Sequence, residues 1–292
     1  MSEPMPLEAL APAVRAAFGA GARIVAAEPL AGDASTRRYV RLRLAGAAEA
    51  PTAVAMLLGA DRLPLGSEEI GGVAGGDELP FVNVGRYLGG CGLPVPAVYH
   101  QTPTFLLLED VGDTTLWAAA RADAARVSEL FGAAVDLLVA LQAAGAQRPA
   151  PACYAFRQRF DGRLRILDFQ DALLAPDAYD LASLVTDRTT AELVPPALEA
   201  SLTERFVHGR AAARVPVDPG FAERYRRCAL QRALKVIGRF YFLERVKGKP
   251  GYLAYLPAVY GVARRMLRAE PALATAATQL VAWVPELGRE PA

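Results

Sequence analysis

The chain has 292 residues, 53% of them hydrophobic and 22% charged, with a formal net charge of +1. That balance gives no electrostatic reason to expect a nucleic-acid partner or a membrane surface. The three cysteines, Cys91, Cys153 and Cys228, are scattered and form no CxxC pair. They fit neither a disulfide framework nor a zinc site, and a reducing compartment suits them. The N-terminus MSEPMPLEAL lacks the basic start and apolar run of a signal peptide, and no run of about 18 uninterrupted apolar residues appears. A cytoplasmic, non-membrane protein is the expectation.

In chain order, residues 7–20 have helical spacing, with Leu7, Leu10, Val14 and Phe18 on one face and Gly19 or Gly21 as the stop. Tyr39 to Leu44 alternate with period two after a Gly/Ser/Thr turn, and TAVAMLL (52–58) is a fully apolar strand. Residues 59–79 are Gly- and acid-rich and read as a loop. A short helix over 80–92 and two strands over 93–113, around a turn at Gln101–Pro103, complete this β-rich part. From 114 the period is helical, with a break near Ala122–Asp123. It gives way to a strand ending in carboxylates at ILDFQD, and residues 197–292 are helical again, broken at 215–220, 248–251 and Pro271. The fold class is α+β.

Three segments could carry chemistry. In ILDFQDALLAPDAYDLASL, Asp168 follows a strand, with Asp171, Asp177 and Asp180 close behind. A carboxylate at a strand end is a good ligand for Mg²⁺, which prefers oxygen donors. The plain alternative is a solvated turn, with Asp177 capping the next helix and Asp180 in its first turn. In LAGDASTRRYVRLRL, backbone N–H groups and hydroxyls could cradle a phosphate, though any hairpin turn uses such residues, and its arginines could be a solvated strand face. FLLLEDVGD (105–113) is an apolar strand ending in two acids and a glycine turn. His100, His208 and the helix arginines Arg224, Arg226 and Arg227 are read as surface or packing residues. Trp117 and the aromatics Phe221, Tyr225, Phe240, Tyr241 and Phe242 are read as core.

These segments, in this order, resemble the aminoglycoside phosphotransferase superfamily. The stretches LAGDASTRRYVRL, PFVNVGRYLGGCGLPVPAVY, TFLLLEDVGDTTL, ILDFQDALLAPDAYDLASLVTD and LQRALKVIGRFYFLERVKGKPGYLAYLP resemble its bacterial N-acetylmuramate/N-acetylglucosamine anomeric kinases most. The resemblance implies a bilobal protein-kinase-like fold. It divides into a nucleotide-binding lobe over 1–112, a hinge near 109–113 and a helical lobe over 114–292. It further implies ATP and Mg²⁺ as cofactors and an amino sugar as acceptor. Asp168 would hold Mg²⁺; Gly32, Ser35 and Thr36 would cover the phosphates; Glu109, Asp110 and Val111 would form the adenine-facing hinge; Asp180 would brace the catalytic loop.

Two departures from the family pattern stand out. No lysine precedes Lys235, so the usual strand lysine is missing and Met56 stands near its place. The family's HxDxxxxN loop, which supplies the general base, is also missing. Between Leu141 and Asp168 there is no histidine or asparagine, and the sole acid is Asp161. No catalytic base is therefore assigned, and the second lobe is shortened near 160–162. Asp161–Gly162 is read as a type I′ turn joining two strands. The implied activity is a sugar kinase with an impaired or absent chemical step. The alternatives are a non-catalytic nucleotide-binding pseudokinase and a kinase of another small alcohol, such as an aminoglycoside or choline.

Overall fold

The computed structural model describes residues 7–30, 38–47, 50–58, 79–147, 157–160, 164–167, 176–190 and 192–289. It is a mixture of antiparallel sheet and helices, as the α+β reading requires. The chain divides into two compact units, residues 1–114 with 150–173, and residues 115–149 with 174–292.

The first unit is built on a five-stranded antiparallel sheet. Its strands are β1 (Arg23–Leu30), β2 (Arg38–Ala45), β3 (Thr52–Leu57), β4 (Val98–Gln101) and β5 (Phe105–Glu109), in the order β1-β2-β3-β5-β4. Central strands buried on both faces need continuous apolar runs, and TAVAML and FLLLE supply them. Pro29, which cannot donate to a ladder, falls on the edge strand β1. Helix α1 (Leu7–Phe18) stops at Gly19, whose φ of +97° is the left-handed stop that glycine adopts without strain. Its Leu10, Ala13 and Val14 pack against Val40, Leu42, Leu44, Ala53, Ala55, Leu57 and Leu107 on one face of the sheet. Strand alternation assigns the opposite face to Tyr39, Arg41, Val54, Met56, Leu106 and Leu108.

Helix α2 (Pro80–Gly90) and the turn between β4 and β5 occur where the sequence places them. Thr102 forms that turn by accepting from the Phe105 amide at 3.0 Å. A separate hairpin pairs β6 (Arg157–Phe160) with β7 (Leu164–Leu167). Its register sets Phe160 opposite Leu164. The turn read at Asp161–Gly162 lies outside the described residues.

The second unit is helical: α3 (Leu116–Ala122), α4 (Val127–Gln147), α5 (Tyr179–Val185), α6 (Pro196–Ala212), α7 (Phe221–Arg245), α8 (Leu256–Arg268) and α9 (Ala274–Trp283). Thr115 caps α3 through the Ala118 amide, and Asp123 ends it and caps the next turn, which is the break seen near 122–123. The span 124–147 is long and apolar enough to cross a bilayer by length and composition. In this unit α4 buries Leu130, Phe131, Ala134 and Val135 and packs on α6, and it carries Asp136 in an ion pair with Arg205 of that helix.

Most of the aromatic group on α7 lies in the core, with Phe221, Tyr225 and Phe240 buried. Trp117 and Phe242 do not; each is 38% exposed, and Arg121 and Lys247 respectively cover their rings. The helix arginines are not merely a solvated face. Arg224 pairs with Asp177 and Asp218, Arg226 with the buried Glu270, and Arg227 with Glu223.

Candidate functional site

Of the residues that could handle nucleotide, Gly32, Ser35, Thr36 and Asp168 lie outside the described residues. Among those described, no three His, Cys, Asp or Glu side chains group as metal ligands.

Glu109, Asp110 and Val111 are described, where β5 leaves the sheet. Glu109 holds β4's approach from both sides. Its amide donates to the Ala97 carbonyl at 2.9 Å, and its Oε2 accepts from the Ala97 amide at 3.1 Å. Asp110 accepts from Arg41 Nε at 2.6 Å and Nη2 at 2.9 Å, and from the Gly112 amide at 3.0 Å. Arg41 also reaches Asp113, with Nη2 to Oδ1 at 3.0 Å. Burial pushes the Asp110 carboxyl up, but the bonds from Arg41, Gly112 and Thr52 outweigh it and hold it below the usual range. The Arg41 guanidinium is correspondingly raised.

The acidic side chains of this turn are thus committed to its shape. What it offers a ligand is main chain. Among the described residues, no hydrogen bond reaches the peptide N–H or C=O of Val111, while its side chain is buried. Met56, near the place of the missing lysine, is 1% exposed on the sheet face that Arg41 shares. Arg41 was a candidate for a solvated strand face; it is instead the cation around which the turn closes.

In the second unit the feature of note is Asp177, immediately downstream of 168–175. It does not cap α5, whose N-cap residue is Ala178 with no side-chain bond. Its carboxylate takes Arg224 Nε at 3.0 Å and Nη2 at 3.2 Å, and Arg210 Nη1 at 3.2 Å. Arg210 is itself buried, bonded to the Gln142 side chain and to the Pro216 carbonyl at 2.7 Å. Gln142 Nε2 returns to the Asp177 carbonyl at 2.8 Å. Helices α4, α6 and α7 therefore converge on the residue that leads into α5. No local sequence signal marks Arg210 or Gln142, because the network depends on helix packing across tens of residues.

Asp180 does occupy the first turn of α5. Desolvation pushes its carboxyl up to about 6, with Arg232 pulling the other way. Burial likewise raises the Cys228 thiol, with Asp177 adding to it. His208 is exposed on α6, and His100 lies on β4, stacked near Phe105.

No family model matches the chain. Comparison with curated proteins is more informative. It is 35% identical over 126 residues to an enzyme of Caulobacter vibrioides and 37% identical over 126 residues to one of Neisseria meningitidis. Each match takes up 42% of this chain, and they cover 32% and 37% of those relatives. A longer match, 27% identical over 272 residues, covers 72% of this chain and 79% of a Pseudomonas aeruginosa enzyme. All three are named N-acetylmuramate/N-acetylglucosamine kinase. The chain thus resembles sugar kinases, and it spans only about a third of the first two relatives' length.

Proposed function

We propose that this chain is an ATP-dependent phosphotransferase of the aminoglycoside phosphotransferase superfamily, acting on the anomeric hydroxyl of an amino sugar. The observation that carries this is the match across 79% of the Pseudomonas aeruginosa enzyme, together with shorter matches to relatives of the same name. On this reading the two units are the lobes of a bilobal kinase-like fold in a cytoplasmic enzyme. The Val111 peptide would take the purine edge; Gly32, Ser35 and Thr36 would cover the phosphates; Asp168, a hard oxygen donor, would hold Mg²⁺. Arg41, Asp110 and Asp113 keep that main chain in place.

In such a reaction the acceptor oxygen bonds to the γ-phosphorus, the bond to the bridging oxygen breaks, and ADP leaves. The hydroxyl proton needs a base. No histidine or asparagine lies between Leu141 and Asp168, and Asp161 belongs to the connection between β6 and β7. The longer comparison spans 272 aligned positions, of which about 210 hold a residue of this chain, 72% of its 292. Losing a positioned base costs about 10²–10⁴-fold, or about 3–5 kcal/mol of barrier. We therefore expect nucleotide binding with a slow or absent chemical step.

The same absence favours a second reading, a nucleotide-binding pseudokinase. Single-turnover assays with labelled ATP and each amino sugar separate the two. Slow, Asp168-dependent product supports the kinase; Mg-ATP binding with no product above the blank supports the pseudokinase. An equal response to choline or aminoglycosides would contradict the sugar specificity.

A further inference from the structure

Arg188 follows α5 in a turn that is closely fixed. Asp187 Oδ1 accepts from the Thr189 amide at 3.1 Å and its hydroxyl at 2.9 Å, and Arg232 lies 3.6 Å from the same carboxylate. The turn delivers the Arg188 guanidinium onto two rings, 5.3 Å from the centre of Phe240 and 5.1 Å from that of Tyr255. Phe240 is buried in the core, whereas Tyr255 is 40% exposed. The ring-bearing turn is held as well, with the Leu253 amide donating to Glu244 Oε2 at 3.0 Å.

The partners of Arg188 set it apart. Arg210, Arg224, Arg226 and Arg265 in the same unit each reach a carboxylate. Arg188 is half-buried, and among the described residues it forms no ion pair and no hydrogen bond; its Nε is buried without an acceptor. Desolvating a guanidinium without a counter-charge is unfavourable, and ring faces repay only part of it. A guanidinium held over two aromatic rings and, among the described residues, lacking an acid is suited to accept one, in two parallel bonds from its terminal nitrogens.

We propose that Arg188, with Phe240 and Tyr255, is a subsite for a carboxylate carried by the acceptor. The exposed Tyr255 ring faces the apolar part of that ligand. The subsite would distinguish an acidic amino sugar from its neutral counterpart. Its assignment to an acceptor rests on the kinase reading above.

The test is calorimetric titration of the full chain with N-acetylmuramate, N-acetylglucosamine and Mg-ATP, using wild type, Arg188→Ala and Arg188→Lys. Wild type should bind the acidic sugar more tightly than the neutral one. Arg188→Ala should weaken the acidic sugar by about tenfold or more and leave the neutral sugar within about twofold, as loss of a charged hydrogen-bonding pair implies. Arg188→Lys should recover part of the loss, because it restores charge without the fork. An acidic-sugar preference that survives in Arg188→Ala, an equal loss for both sugars, or no sugar binding by wild type would each overturn the subsite. Weakened Mg-ATP with unchanged sugar binding would overturn it too, by giving the guanidinium to a phosphate. The two readings fail separately. Arg188-dependent sugar binding without Mg-ATP binding supports the subsite and removes the kinase, and Mg-ATP binding with Arg188-independent sugar binding does the reverse.

Discussion

Arg41 on β2 grips Asp110 at the end of β5 in a two-pronged pair, Nε to Oδ2 at 2.6 Å and Nη2 to Oδ1 at 2.9 Å. Both side chains are mostly buried, at 14% and 6% exposure. Removing the cation strands a desolvated carboxylate, so Arg41→Ala should cost about 2–3 kcal/mol in urea unfolding at neutral pH. Asp110 is held below its ordinary range, so its contribution is present above the unfolded-state value and lost as pH falls through the folded one. In Arg41→Ala burial dominates and raises the carboxyl, so Asp110 no longer contributes an acid loss of stability, and the variant's deficit should shrink as pH falls and the carboxyl takes up its proton. An unchanged acid limb would contradict the pairing.

The Asp177 network makes a second prediction. Asp177→Ala leaves the buried Arg210 with neutral partners only, and Arg224 with Asp218 alone. A loss of about 3 kcal/mol is expected, since an uncompensated buried charge remains. Arg210→Met in the same background should recover part of it. A double-mutant cycle showing independence would remove the network.

Asp180 predicts a pH dependence of opposite sign to Asp110. Its carboxyl, ordinarily near 3.8, is raised to about 6, so the folded chain holds that proton more tightly than the unfolded chain. Stability should therefore fall as pH rises from about 4 to about 6, by on the order of 2 kcal/mol, and stay lowered above. Asp180→Asn should remove this slope and be the more stable protein at pH 7. On the proposed reading the segment that Asp180 would brace is missing, and Arg232 alone opposes the cost of its burial.

Gly46 ends the β2 strand with φ +76°, and a Cβ there would lie 2.3 Å from the Gly21 carbonyl oxygen. The contact is with backbone, so no rotamer can relieve it. Gly46→Ala should cost at least about 1–2 kcal/mol and lower the thermal midpoint. A neutral effect would show that this close approach is absent.

How far the sequence carried depended on the range of the interactions. Period and punctuation are local, so TAVAML, FLLLE, the Gly19 stop and the helix break near Ala122–Asp123 were all legible. Partners distant in sequence were not legible at all. Asp177 has the composition and position of a helix cap, yet its bonds go to Arg224 and Arg210, on helices that only folding brings near. Arg188 carried no signal, because what marks it is the lack of a counter-charge among the described residues. Trp117 was misplaced since a short helix turns it outward beside Arg121. Of the candidate nucleotide site, the structure describes the Glu109–Val111 turn, and Gly32, Ser35, Thr36 and Asp168 lie outside the described residues.

The central claim is a nucleotide-binding, kinase-like chain whose chemical step lacks its base. Its most direct test is one experiment, calorimetric Mg-ATP binding followed by single-turnover phosphoryl transfer to N-acetylmuramate and N-acetylglucosamine, with the Pseudomonas aeruginosa relative assayed in parallel. The account predicts saturable Mg-ATP binding that weakens in Asp168→Ala, with transfer at least about 10²-fold slower than the relative's. No Mg-ATP binding, or transfer as fast as the relative's, would contradict it.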